Sequence, residues 1–133
     1  MSGDKYCIDN NTTTFLTRHS GNDLEFNLSS WGSRGHFFGT GGVAHPDARG
    51  WTFREHMDAP NLNARCEARI LAQPPRGYTF WLTPAGPCNE EQGFSYQPGA
   101  KIVFPARSRR GGIPADKTTE QASSQEAGGE WCR

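Results

Sequence analysis

The sequence predicts an all-β fold, a small antiparallel meander barrel, with a tight β-sandwich as the alternative. Three observations predict it. Short alternating or aromatic-rich runs recur along the chain with turn residues between them. Sixteen glycines, nine prolines and 34% hydrophobic residues argue against a helical bundle, which would be rich in Leu, Ala, Glu and Lys. Eight Phe, four Trp and three Tyr can still build one core within 133 residues, because each ring buries a large apolar area.

The first expected strand, 13–19, leads through Ser20-Gly21-Asn22 into a second, 23–28. There Leu24, Phe26 and Leu28 share one face and Asp23, Glu25 and Asn27 the other. A third, 35–40, sits in a glycine-rich run from Ser29 to Gly42. That run lacks the Lys-Ser/Thr of a phosphate-cradling loop and the Gly-X-Gly-X-X-Gly of a dinucleotide fold. Barrel corners and bulges need the same glycines. After a Pro46-to-Gly50 turn, strand 51–57 places Trp51, Phe53 and Met57 toward the core and brings Glu55 with them.

Strands 64–72 and 77–83 form a hairpin across Pro74-Pro75-Arg76-Gly77, with Cys66, Ala68 and Ile70 on one face and Tyr78, Phe80 and Leu82 on the other strand's matching face. In the last, 100–106, Ile102 and Phe104 point inward and Lys101 outward. Such strands need closure to remove their edges, and the short sequential connections favour a barrel.

Residues 1–107 are therefore expected to form one β-barrel domain. Residues 108–133 are expected to be a polar, mobile tail, since the segment is nearly free of apolar side chains and cannot offset its ordering entropy. Trp131-Cys132 is the exception and suggests a clip back onto the barrel.

Four cysteines fit a two-disulfide secreted or periplasmic domain. Of three pairings, Cys66–Cys88 with Cys7–Cys132 is favoured, the first closing the hairpin and the second stapling the termini. Loop entropy assigns the longer closure roughly 4–5 kcal/mol. The chain shows no apolar leader, so no signal peptide is expected, and no run has the length of a membrane span. Zero formal charge disfavours a general nucleic-acid surface.

Candidate sites are few. His19, His36, His45 and His56 match no compact ligand spacing, so neither metal nor cofactor is expected. Glu67, Arg69 and His56 could serve ribonuclease-like proton transfer and charge stabilisation, though cross-strand ion pairs on a wet face explain them too. Arg107, Arg109 and Arg110, with Lys101 nearby, form the basic cluster and read as solvated charge beside the tail. Aromatics lining the barrel could hold a small ligand, or simply fill it. The segment Gly93-Phe94-Ser95-Tyr96-Gln97-Pro98-Gly99 is apolar enough to be an interaction loop.

The Trp51-X-Phe53 strand, the Cys66-X-Ala68-X-Ile70 strand and Cys88 before a loop precede Tyr96-Gln97-Pro98-Gly99 and Ile102-Val103-Phe104. Together they make about half the chain resemble the small periplasmic β-barrel inhibitors of lysozyme. In that family a Ser-Gly loop ahead of such a Tyr-X-X-Gly enters the lysozyme cleft; here Gly93-Phe94-Ser95 stands in its place. The resemblance implies a protein partner, a hydrolase such as lysozyme.

The expectation is thus a secreted or periplasmic, non-catalytic binding protein that contacts its partner through Phe94, Ser95 and Tyr96. A small-ligand carrier and a ribonuclease-like enzyme are the alternatives.

Overall fold

The computed structural model describes residues 3–9, 12–31, 37–56, 65–73, 76–82, 101–113, 118–119 and 121–122. Their strands are β1 (Gly3–Ile8), β2 (Thr13–Ser20), β3 (Asp23–Trp31), β4 (Phe37–Pro46), β5 (Trp51–His56), β6 (Arg65–Ala72), β7 (Gly77–Leu82), β8 (Lys101–Pro105) and β9 (Arg109–Ile113). All pairings are antiparallel, in the order β8-β7-β6-β5-β4-β3-β2-β1-β9. The result is a meander curled into a nearly closed barrel rather than two facing sheets.

Closure comes from one stretch of chain that changes partners. β8 pairs with β7, and after a 3-10 turn at Ala106–Ser108 the chain resumes as β9 against β1. The Ser108 hydroxyl donates to the Pro105 carbonyl at 2.6 Å and braces that turn. A β-bulge between Lys5 and Tyr6 absorbs the register change on the β1 side.

Two elements correct the expected boundaries. The sheet does not stop at residue 107: Arg109–Ile113 is a strand, with Gly3 opposite Ile113 and Tyr6 opposite Arg109. Beyond it, Thr119 and Ala122 are buried rather than part of a free tail. Ala122 packs with Ile113 on Leu16, an outward residue of β2 that is fully covered. The segment is tied by polar contacts as well. The Thr118 hydroxyl accepts from the Gln121 amide at 3.1 Å, and the Gln121 side-chain oxygen accepts from the Thr118 amide at 2.9 Å. This reciprocal pair is a capping box.

β4 is also longer than expected. Its glycines lie inside the strand, where they clear space for neighbours: a Cβ on Gly42 would stand 2.5 Å from Cε1 of Phe53.

One inward cluster fills the barrel, drawn from β1 through β8 and including Tyr6, Phe15, Phe26, Ile70, Phe80 and Phe104. Phe15 is its hub, stacked on Phe104 at 4.9 Å between centroids and meeting Phe26, Tyr78 and Phe80 at 5.8–6.1 Å. Alternation along each strand produces this result, with Leu24, Phe26 and Leu28 inward as their spacing predicts. Each large ring so buried contributes roughly 1.5–3 kcal/mol.

Candidate functional site

The sites expected from sequence are unevenly placed. Phe94, Ser95 and Tyr96 lie outside the described residues, as do Cys88 and Cys132. Cys7, on β1, is 2% exposed. Cys66 stands at the start of β6, opposite Glu55.

Glu67, Arg69 and His56 occupy three different cross-strand rows. Glu67 pairs with Arg54, Arg69 with Thr52 and His56 with Arg65. The register therefore sets none of the three directly across from another. Arg69 is also opposite Trp81, over whose ring the Lys101 ammonium sits at 5.0 Å. Among the described residues no group of three His, Cys, Asp or Glu side chains is arranged to hold a metal ion, and no helix is long and apolar enough to cross a membrane.

The two rims of the barrel differ in their connections. At one rim β2–β3, β4–β5 and β6–β7 are joined by short turns. The β4–β5 turn is pinned by Asp47, whose carboxylate accepts from the Thr52 hydroxyl and the Arg49 amide and is held below the usual range by those bonds. The connections 32–36, 57–64 and 83–100 leave from the opposite rim, where Trp81 stands opposite Lys101.

The short-turn rim gathers a polar group that the sequence did not announce. On β1 and β2 the inward set that includes Tyr6 and Phe15 also includes Asp4 and Thr17, which face each other in register. The Asp4 carboxylate accepts from Nε of Arg109 at 2.8 Å, with both side chains about one-third exposed. The rings of Tyr6 and Tyr78 meet edge to face at 5.6 Å. The Tyr78 hydroxyl is 3.3 Å from Nε2 of His19. His19 and Trp51 cover this end, 5.7 Å apart at 60°. The Trp51 indole N–H is fixed on the Asn22 carbonyl at 3.0 Å.

Burial and neighbouring charge set the electrostatics. Burial, then Asp4 and Tyr78, push the Tyr6 phenol up to about 12, while Arg109 and Arg76 pull the other way. Burial likewise raises the Tyr78 phenol, and the nearby Thr17 hydroxyl pulls it partly back. Thr17 is 1% exposed, its hydroxyl beside the Tyr78 phenol. Both phenols thus stay protonated near neutral pH and act as neutral donors. The sequence reading missed this group because β1 and β9, which carry Asp4, Tyr6 and Arg109, were not among the expected strands.

No protein-family model, curated protein or solved structure matches this chain.

Proposed function

We propose that the chain is a secreted or periplasmic, non-catalytic binding protein that engages a protein partner through loop residues 89–99. The role is inhibition of a hydrolase such as lysozyme, with Phe94, Ser95 and Tyr96 as the contacts. The observation that carries this reading is the filled interior. Tyr6, Phe15, Phe80 and Phe104 are each 0% exposed and pack on one another, which leaves recognition to rims and loops. That packing favours a protein partner over a carrier that uses the barrel interior.

Paired strand ends support the loop assignment. Ala68 is opposite Leu82 and Trp81 opposite Lys101, so β6, β7 and β8 hold both ends of the connection close together. Cys66 lies beyond Ala68 toward that rim, a suitable anchor for Cys88 within the connection. Cys7 alternates with the inward Tyr6, on the side where Leu16 is covered by Ala122, which suits a bond to Cys132. Native, non-reducing mass spectrometry tests both bonds, expected as a mass four hydrogens below the reduced chain.

Binding to lysozyme, measured by calorimetry with inhibition of cell-wall lysis alongside, tests the function. The expected result is saturable binding weakened at least tenfold in a Phe94→Ala/Tyr96→Ala variant that keeps its melting temperature. Unchanged affinity in that variant overturns the loop assignment, and absence of any lysozyme binding overturns the inhibitor role.

A further inference from the structure

The basic cluster at Arg107, Arg109 and Arg110 has a place in the fold that the protein-partner reading does not use. Gly77 is opposite Pro105, so Arg76 at the head of β7 stands beside the 3-10 turn that carries Arg107. Tyr6 is opposite Arg109, so the same sector of the short-turn rim reaches β1. Of the four arginines in this sector, Arg109 is the one paired with a carboxylate, Asp4.

Their engagement is incomplete. Arg109 gives Nε to Asp4, and its terminal nitrogens have no partner among the described residues. Arg76 is exposed and makes no hydrogen bond or ion pair there, yet its charge reaches the Tyr6 phenol. Arg110 folds back to donate to the Arg107 carbonyl at 3.0 Å, which leaves the Arg107 side chain exposed on the turn. Beside this positive sector the Tyr78 hydroxyl and the His19 ring share a hydrogen bond at 3.3 Å. The partly exposed Trp51 ring lies against Tyr78 and His19 beside this sector.

We propose that the short-turn rim is a binding site for a small dianionic oxyanion of the phosphate-monoester class, held by Arg76, Arg107 and Arg109. Planar guanidinium forks match the oxygens of such a group two at a time, and three arginines against the single Asp4 leave an excess of two positive charges, which favours a dianion over a monoanion. The Tyr78 hydroxyl offers an uncharged hydrogen bond to the same ligand, and the Trp51 ring offers an apolar surface for an aromatic ester group. Asp4 serves as a positioning residue by fixing the Arg109 fork. This site is on the rim opposite residues 83–100 and stands or falls independently of the loop assignment.

The test is a titration of isotope-labelled protein with inorganic phosphate and then with phenyl phosphate, against sodium chloride at matched ionic strength. The expected result is saturable amide shifts at Thr17, His19, Tyr78 and Arg109 with either phosphate and none with chloride. Phenyl phosphate is expected to bind several-fold more tightly and to move the Trp51 indole signal. Arg76→Gln, an exposed change that leaves the barrel intact, is expected to weaken phosphate at least threefold. Equal shifts with chloride, shifts centred elsewhere, or no loss of affinity in Arg76→Gln overturns the proposal.

Discussion

The Glu25 carboxylate accepts the backbone amide of Thr119 at 2.6 Å across a separation of 94 residues. Its other oxygen takes the Arg18 guanidinium at 2.9 Å, so one side chain joins β2, β3 and the C-terminal segment. Glu25 faces outward, as its alternation with Leu24 and Phe26 requires, and the segment lies across that outer face. With Leu16, Ile113 and Ala122 beside it, this carboxylate turns a polar stretch of sequence into a strap.

Glu25→Ala is expected to cost about 1–3 kcal/mol, because it removes two charge-assisted bonds, one to the Thr119 amide and one to the Arg18 guanidinium. Glu25→Gln keeps an acceptor for Thr119 and is expected to cost less. Urea unfolding gives the stabilities, and amide exchange at Thr119 reports the strap itself. Unchanged protection of Thr119 in Glu25→Ala would show that the carboxylate does not hold it.

Phe15→Ala is expected to lose about 3–5 kcal/mol, since four rings would border the cavity it leaves. Val103, 45% exposed on the outer face of β8, gives the contrast. Val103→Ala is expected to stay within about 0.5 kcal/mol of the parent by the same urea measurement.

Alkaline pH is expected to weaken the barrel through Tyr6. Its phenol is pushed up to about 12 in the fold, against about 10 in an unfolded chain. The contribution is whole below about pH 10 and drains away as pH rises toward 12, because the unfolded chain releases the proton first. The shift corresponds to roughly 2–3 kcal/mol. Stability followed from pH 9 to 11 is expected to fall more steeply in the parent than in Tyr6→Phe. Parallel curves would contradict the assignment.

Gly77→Ala is expected to destabilise by about 1–3 kcal/mol. Gly77 has φ of +120°, and a Cβ there would stand 2.6 Å from the Phe104 carbonyl oxygen. Gly21 has φ of +61° with nothing near its would-be Cβ, so Gly21→Ala is expected to cost less. Thermal unfolding of the two variants side by side makes the comparison.

The middle of the barrel was legible because its strands combine apolar alternation with marked turns. Leu24, Phe26 and Leu28 on one strand, and Tyr78 and Phe80 on another, fix both register and face. The first and last strands were not legible. Arg109-Arg110-Gly111-Gly112-Ile113 has two arginines and two glycines, which no strand preference favours, and it is a strand because β1 offers an unpaired edge. β1 begins Gly3-Asp4-Lys5, with Tyr6 and Ile8 too few to establish a period. The strap was missed for the same reason, since burial of Ala122 and Thr119 depends on Leu16 standing outside the barrel. The polar rim could not be read at all without β1 and β9. A single hint was present: Asp4 and Arg109 are opposite charges in segments otherwise poor in apolar residues.

Pairing of β1 with β9 has a consequence for synthesis of the chain. The hairpins from β2 to β7 can form as each second strand leaves the ribosome, since every partner is a near neighbour in sequence. β1 can join β2 early, yet its other edge waits for Arg109–Ile113. Throughout translation of the preceding residues the nascent sheet has an open seam beside Tyr6, with backbone donors and acceptors free to pair with another chain. The seam closes only once the chain has run through Pro105 and turned at Ala106–Ser108, so the short 3-10 turn marks the moment at which the nascent protein ceases to be a template for its neighbours.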